Sequence, residues 1–424
     1  MPTRTSAAAS AIEVNSRRWL AWLCLARTGF ALNFVAYAAV LPLVAPAWGM
    51  SAAQAGLVQS AWHAGFLVSL TLAGFLSDRW GAKRTLLGMS LFASVGVLLF
   101  AVFADGFWSA LWLHGLAGLT SGGSYTPGLT LIAERFAPAQ RSRGMGWFLA
   151  AASLGYGMGL LGSGLLLPHA GWRGALLFCA SGTLLATLLS FITLRGTPNV
   201  THPPERHARP WVAIREIWRN RPAMLSIWAY AAHAWEVLGF WAWLPAFLAA
   251  ALASQGQIST GGAALALMLS AAGHFVSVPG NVLGGALADR HGPGRVMLWF
   301  SGISVACSFF FGWLFAAPIL LLALVAILYN LSAVGDSAIY SSATSALTPA
   351  HRLGAAFALR SALGFGMGAI SPWVFGLTLD GVAALGGGRG ALAWGLAFIT
   401  LGLVGALAPL AVWRLRRLHP EAVR

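Results

Sequence analysis

An eleven-residue pattern occurs twice in this chain. It reads Gly74-Phe75-Leu76-Ser77-Asp78-Arg79-Trp80-Gly81-Ala82-Lys83-Arg84, and 211 residues later, in a chain of 424, Gly285-Ala286-Leu287-Ala288-Asp289-Arg290-His291-Gly292-Pro293-Gly294-Arg295. Each copy is a charged cluster that closes a long apolar stretch. A repeat at half the chain length, placed in that way, makes the chain two homologous membrane halves. It also marks one end of the helices that carry it.

With 58% hydrophobic and 9% charged residues, the chain has too little polar surface to cover a soluble globule of its size. Runs long enough to cross roughly 30 Å of hydrocarbon, at about 1.5 Å per residue, fall at twelve places. These are 19–46, 53–76, 86–104, 107–132, 144–167, 173–194, 223–251, 261–288, 295–315, 317–346, 354–379 and 389–413, hereafter spans 1 to 12. Backbone groups in lipid must be satisfied within their own segment, so the runs are helices and the fold class is all-α.

Topology follows from the basic residues. Of 26 Lys and Arg, 22 lie in the two tails and in the loops after spans 2, 4, 6, 8 and 10; Arg173 and Arg389 fall on the other side, and Arg27 and Arg360 within spans. The positive-inside rule then makes both termini and the loop after span 6 cytoplasmic. The charge of +15 is thereby explained by orientation in the membrane, and nucleic acid is not an expected partner. Residues 1–18 contain no apolar core of a signal peptide and read as an uncleaved tail. The expected divisions are a tail over 1–18, a six-helix half over 19–194, a linker over 195–222, a second half over 223–413 and a tail over 414–424.

Trp19, Trp48, Trp108, Trp172 and Trp211 lie near span ends, where interfacial anchors belong. The linker is rich in Pro, Arg and His, with Pro203, Pro204, Arg206, His207 and Arg209 at its centre and an amphipathic stretch over 211–218. Asn199-Val200-Thr201 fits a glycosylation sequon but sits on the side expected to be cytoplasmic, so it reads as chance. Cys24, Cys179 and Cys307 lie in apolar runs as small hydrophobes, and neither a disulfide nor a metal site is indicated. No phosphate-cradling loop and no catalytic motif is present, so the chain does not read as an enzyme and no cofactor is expected.

The Gly-x-Leu-(Ala/Ser)-Asp-Arg-x-Gly-x-x-Arg clusters after spans 2 and 8, with twelve spans and a central loop, resemble the major facilitator superfamily of secondary transporters. The resemblance covers nearly the whole chain. It implies that Gly74, Asp78, Arg79, Gly81, Arg84, Gly285, Asp289, Arg290, Gly292 and Arg295 tie the two halves together on the cytoplasmic side when the protein faces outward. Glu134 and Arg141 after span 4 resemble the family's Glu-to-Arg signature. Pro349-Ala350-His351-Arg352 echoes Pro138-Ala139-Gln140-Arg141 without the Glu. His114 stands where the family often has an Arg, and Gly155-Tyr156-Gly157-Met158-Gly159 lacks the proline of antiporters and reads as a close-packing stripe.

Ionisable and polar residues inside spans are costly and normally face a cavity or a partner. At the 211-residue offset His63 of span 2 overlies His274 of span 8, each eleven residues before its motif glycine. Eleven helical residues are about 16 Å, half the hydrocarbon thickness, so both are expected near the midplane and facing one another. In the nitrate and nitrite porters of the resembling family, paired arginines of the corresponding helices clamp a small anion. Packing histidines are the alternative.

Matching Pro42 to Pro245 places Asn33 on Glu236, Tyr37 on Phe240 and Arg27 on Tyr230. Tyr230, His233 and Glu236 recur every third residue and are expected to form one polar stripe, with Glu236 and His233 carrying a proton. A permanent pair between Glu236 and Arg27 or His233 remains open. Asp336 is the second buried acid, Asn330 lies in the same span, and Arg360 either contacts substrate, neutralises Asp336 or snorkels to the interface. Tyr125 is a further cavity candidate.

The expectation is a monomeric inner-membrane transporter moving a small anion by proton-coupled alternating access, nearest to nitrate, nitrite or cyanate porters. Export of hydrophobic cations beside Glu236 and Asp336, and a sensor that has kept the transporter fold, are the other readings.

Overall fold

The computed structural model describes residues 4–201, 210–257, 260–349 and 352–420. The central Pro-Arg-His part of the linker and residues 350 and 351 of the Pro-Ala-x-Arg echo lie outside them, as do 1–3 and 421–424. The described residues are almost entirely helical. Twelve spans follow one another as the apolar runs require. Among the described residues, ten helical stretches are long and apolar enough to cross a membrane. One of them, Arg143–Leu194, is two spans turned about Gly171, whose φ of 64° breaks the helix. Span 4 completes the set as two shorter helices, Phe107–Ser121 and Thr126–Arg135, on either side of a single 3-10 turn.

These breaks are not scattered. Span 4 opens at Tyr125, after two glycines and just before Pro127, which has no N–H and clashes with the preceding turn. Span 10 opens at Asp336, between Ile319–Gly335 and Ser337–Ala346. The two breaks lie 211 residues apart, so the halves interrupt the same span at the same depth. Span 1 loosens to a 3-10 turn over Asn33–Val35, and span 11 bends between Gly368 and Ser371. Span 7, Arg221–Ser254, runs unbroken.

We call the membrane face that carries the repeated cluster the motif face, and the opposite one the far face. The halves meet where span 2 packs on span 11, span 5 on span 8 and the later part of span 1 on span 7. Closest approach is at the far face. A Cβ at Gly56 would collide with the Pro372 carbonyl and one at Gly376 with that of Ala52, so only glycine lets these backbones touch. Asp380, at the far end of span 11, then reaches across to the start of span 2. Its two carboxylate oxygens accept hydrogen bonds from the N–H groups of Ala52, at 3.0 Å, and Ala53, at 2.7 Å. Arg389 steadies the same carboxylate at 3.2 Å. One half thus caps a helix of the other, joining charge to helix dipole.

On the motif face the turn at Gly81 is closed from within the first half. Asn199 Nδ2 donates to the Trp80 carbonyl at 2.7 Å, Asn199 Oδ1 accepts from Arg84 N–H at 3.1 Å, and Lys83 Nζ donates to the Thr197 carbonyl at 2.8 Å. The side chain read as part of a chance sequon therefore caps a helix. Trp19 is likewise no interfacial anchor. It is buried, donates to Thr197 Oγ1 at 3.0 Å and lies under the Arg135 guanidinium. Trp108 remains an exposed residue near the far face, and Trp172 packs against Trp48. The amphipathic linker stretch is a helix, Pro210–Arg219, tied to the start of span 11 by the two-pronged Glu216–Arg352 pair.

Asp380→Ala should loosen far-face closure by roughly 2 kcal/mol, the loss of charge-assisted hydrogen bonds. Spin labels at Asp105 and Leu385, both exposed at that face, should then report a larger share of long distances than in the parent protein. An unchanged distance distribution would show that the glycine contacts alone hold it shut.

Candidate functional site

At mid-depth, aromatic rings from both halves form a layer. Phe34, released by the 3-10 turn of span 1, sits 4.7 Å from Trp62, 4.8 Å from Tyr156 and 5.9 Å from Trp241, measured between ring centroids. Phe66 of span 2 meets Phe365 of span 11 at 5.1 Å. His63 lies 5.7 Å from Phe34, and His274 lies 5.0 Å from Trp241 and 5.7 Å from Tyr156. The two histidines thus border one aromatic cluster, but Phe34 and Trp241 stand between them. Both are almost fully buried. His63 Nε2 meets the Gln59 side chain at 3.3 Å, and Nδ1 has no partner in either ring.

Asn330 acts through the same layer. Its Oδ1 accepts from the Trp241 indole at 2.6 Å while its Nδ2 donates to Ser277 Oγ at 2.7 Å, fixing the ring that covers His274. Tyr37 turns away, donating to the Ala55 carbonyl at 3.1 Å beside Phe100 and His114 in the core of the first half. Asn33 is buried with its amide nitrogen unpartnered.

Towards the motif face two arginines come in from opposite halves. Arg27 of span 1 donates to Ser124 Oγ at 3.0 Å, in the break of span 4, and its guanidinium lies 5.2 Å from the Tyr125 ring. Arg360 of span 11 stacks 3.6 Å over the Tyr230 ring. Tyr125 and Tyr156 of the first half and Tyr230 of the second lie within electrostatic reach of one another, Tyr125 of both arginines and Tyr156 of Arg27. Both arginines are buried, and neither meets a carboxylate among the described residues. Arg360 therefore neither neutralises Asp336 nor reaches the interface.

The polar stripe of span 7 divides three ways. Steps of three residues turn a helix by about 60° each, so Tyr230 and Glu236 are about 120° apart. Tyr230 faces Arg360, and His233 faces span 10. There His233 Nδ1 is 3.6 Å from Asp336, an ion-pair distance too long for a hydrogen bond, and Nε2 is 3.3 Å from Ser337 Oγ. Glu236 points to spans 9 and 12. Its Oε1 accepts from Ser304 Oγ and Ser308 Oγ, each at 2.7 Å, and Ser308 in turn meets the Tyr329 hydroxyl in a very short contact. Glu236 thus pairs with hydroxyls, and not with Arg27 or His233.

The acidic and following basic residue of each repeated cluster lie at the surface. Asp78, Arg79, Asp289 and Arg290 are exposed, Gly74 and Gly285 face open space, and Gly81 and Gly292 end their helices at φ 86°. Arg141 Nε donates to the Phe136 carbonyl at 2.9 Å, and Glu134 is half-buried near the same end of span 4. Phe34, Tyr156, Trp241 and Asp380 are the residues that sequence reasoning passed over. An aromatic in an apolar run carries no signal of its own; Arg27 was visible as a charge within a span.

A model of the major facilitator superfamily matches residues 23–372. The chain belongs to that superfamily. Among curated facilitators it is 30% identical over 220 residues to human protein spinster homolog 1, a match over 50% of this chain and 42% of that protein. The chain thus matches less than half the length of these relatives. It is 26% identical over 348 residues to the "Probable 4-methylmuconolactone transporter" of Cupriavidus pinatubonensis, covering 78% and 76% of the two chains. Its fold is that of a bacterial homolog of the human lysosomal transporter Spinster in an inward-facing, occupied conformation, with a TM-score of 0.73, 16% identity and coverage of 96% and 97%. The nucleoside transporter NupG gives 0.74 at 15% identity, covering 94% and 99%. This member of the superfamily is an integral membrane protein.

Within it, the double variant Ser304→Ala, Ser308→Ala leaves Glu236 buried without its donors. It should cost roughly 2 kcal/mol or more, read as a lower thermal unfolding midpoint in detergent. Glu236→Gln, which still accepts from both hydroxyls, should unfold close to the parent protein. Equal losses in both would mean that the carboxylate charge itself holds the site.

Proposed function

We propose that this facilitator moves a small organic or inorganic anion by proton-coupled alternating access, as a monomer in a bacterial-type inner membrane. One observation carries this reading. Arg27 and Arg360 are brought from opposite halves to one tyrosine-lined place, buried and without a carboxylate partner among the described residues. Isolated buried cations are costly, and a substrate anion bridging them would draw the halves together. Tyr125, Tyr156 and Tyr230 supply hydroxyls for its remaining lone pairs.

His63 and His274 would take the anion further along the path, once the Phe34 and Trp241 rings part. Asn330, which holds the Trp241 ring, serves that layer as a positioning residue. Under the positive-inside rule the motif face is cytoplasmic and the far face, shut by Asp380, is outside, so the conformation is inward-facing. Asp78 and Asp289 lie exposed on that cytoplasmic face, where the latch of the outward-facing state is expected to form.

Glu236, and His233 with Asp336, are buried between the helices of the second half and are the proposed proton sites. A proton there shifts the facing equilibrium only if it binds one state better than the other, and the packing of spans 7, 9 and 10 around these groups supplies that difference. Because both acids turn into the bundle, they do not stand as counter-ions for a cationic drug. The anion reading is accordingly favoured over cation export.

Uptake by proteoliposomes of a panel of small anions, with and without a pH gradient, tests this. Arg27→Gln and Arg360→Gln should each weaken anion binding about tenfold or more. Glu236→Gln should bind but fail to accumulate substrate against a gradient, and His63→Ala and His274→Ala should bind more weakly while folded. Parent affinity in both arginine variants, or transport of cations alone, overturns the anion reading; binding without flux identifies a sensor.

A further inference from the structure

The second copy of the repeated cluster opens onto a basic cavity that the transport path does not use. Its volume is about 640 Å³, and its lining includes His291, Gly292, Arg295, Trp413, Arg416 and Arg417. Three guanidiniums and a histidine share it, and no carboxylate lines it among the described residues. Its walls come from two elements that the sequence brings together. Pro293–Phe310 begins there, with Gly292 as its N-cap, so the positive end of the helix dipole lies at the cavity. The last turns of Leu407–Leu418 supply the rest. Trp413, Arg416 and Arg417 share one face at steps of three and four, while Val412 and Leu415 are buried on the other. The Arg417 guanidinium lies 4.0 Å over the Trp413 ring.

The first half shows what this geometry is for. At the offset of 211, Gly292 overlies Gly81 and Arg295 overlies Arg84. In the first half, Asn199 fills the equivalent turn, its Oδ1 accepting from Arg84 N–H. The chain there supplies its own acceptor. In the second half the segment after span 12 brings arginines instead. Like charges gathered at a helix start repel one another, and an oxyanion relieves that repulsion while meeting the helix dipole.

We infer that this cavity binds a phosphate-bearing anion between Arg295, Arg416 and Arg417, taking the place that Asn199 holds in the first half. The exposed Trp413 and the membrane edge make an anionic phospholipid headgroup the natural source, with soluble phosphate the other. The site lies apart from Arg27 and Arg360, so it stands or falls independently of the transported substrate.

Native mass spectrometry of the full chain from mixed micelles tests it, with phosphatidylglycerol, phosphatidylcholine, glycerol 1-phosphate and inorganic phosphate as probes. Phosphatidylglycerol should be retained over phosphatidylcholine, and each of Arg295→Gln, Arg416→Gln and Arg417→Gln should reduce that preference roughly fivefold. The triple Arg→Lys variant, which keeps the charge, should retain most of it and guards against misfolding. Retention of glycerol 1-phosphate or phosphate without lipid preference supports the site with a soluble source. Equal retention of phosphatidylglycerol by the triple Gln variant, or an equal loss in a control lacking Arg215 and Arg219 on the linker helix, overturns it.

Discussion

Hydrocarbon cannot hydrogen-bond a peptide group, and every other feature of this molecule is arranged around that fact. It forces the chain into helices and confines any break in them to the bundle interior. The breaks at Asn33–Val35, at Tyr125 and at Asp336 are all of that kind, and each sets a polar or aromatic side chain where an unbroken helix would not. Ser124, in the turn of span 4, receives Arg27, and Phe34, in the turn of span 1, anchors the aromatic layer.

The two halves use one plan for different ends. Both break the fourth span of their half at the same depth, yet Tyr125 stands at one break and Asp336 at the other. Among the described residues the first half is poor in buried acids along its spans, whereas the second buries Glu236 and Asp336 with serines, a tyrosine and His233 around them. The same asymmetry appears at the surfaces. Asp380 caps the start of span 2 across the halves, and Asn199 caps the first motif turn while arginines ring the second.

Sequence patterns located depth well and direction poorly. Counting back from the repeated glycines placed His63 and His274 in one layer, because rise along a helix is fixed at about 1.5 Å per residue. It gave no account of what fills the space between, since Phe34 and Trp241 come from spans 1 and 7. The triplet Tyr230, His233, Glu236 read as one stripe and became three environments, because 60° per step accumulates. Charge within a span drew notice to Arg27 and Arg360, but their convergence rests on two helices 333 residues apart in the chain.

By itself the sequence determined the solvent, the twelve spans, the pairing of halves and the family, because these follow from apolar length, a repeat at half the chain and a charged motif that recurs in register. Tertiary structure alone decided which polar groups meet. Whether Glu236 faces a cavity or Ser304 and Ser308, whether Arg360 seeks Asp336 or Tyr230, and whether Asp380 is a loop residue or the far-face cap depend on helix rotation and crossing. Those are set by the close packing of side chains from distant spans, to which local periodicity is blind.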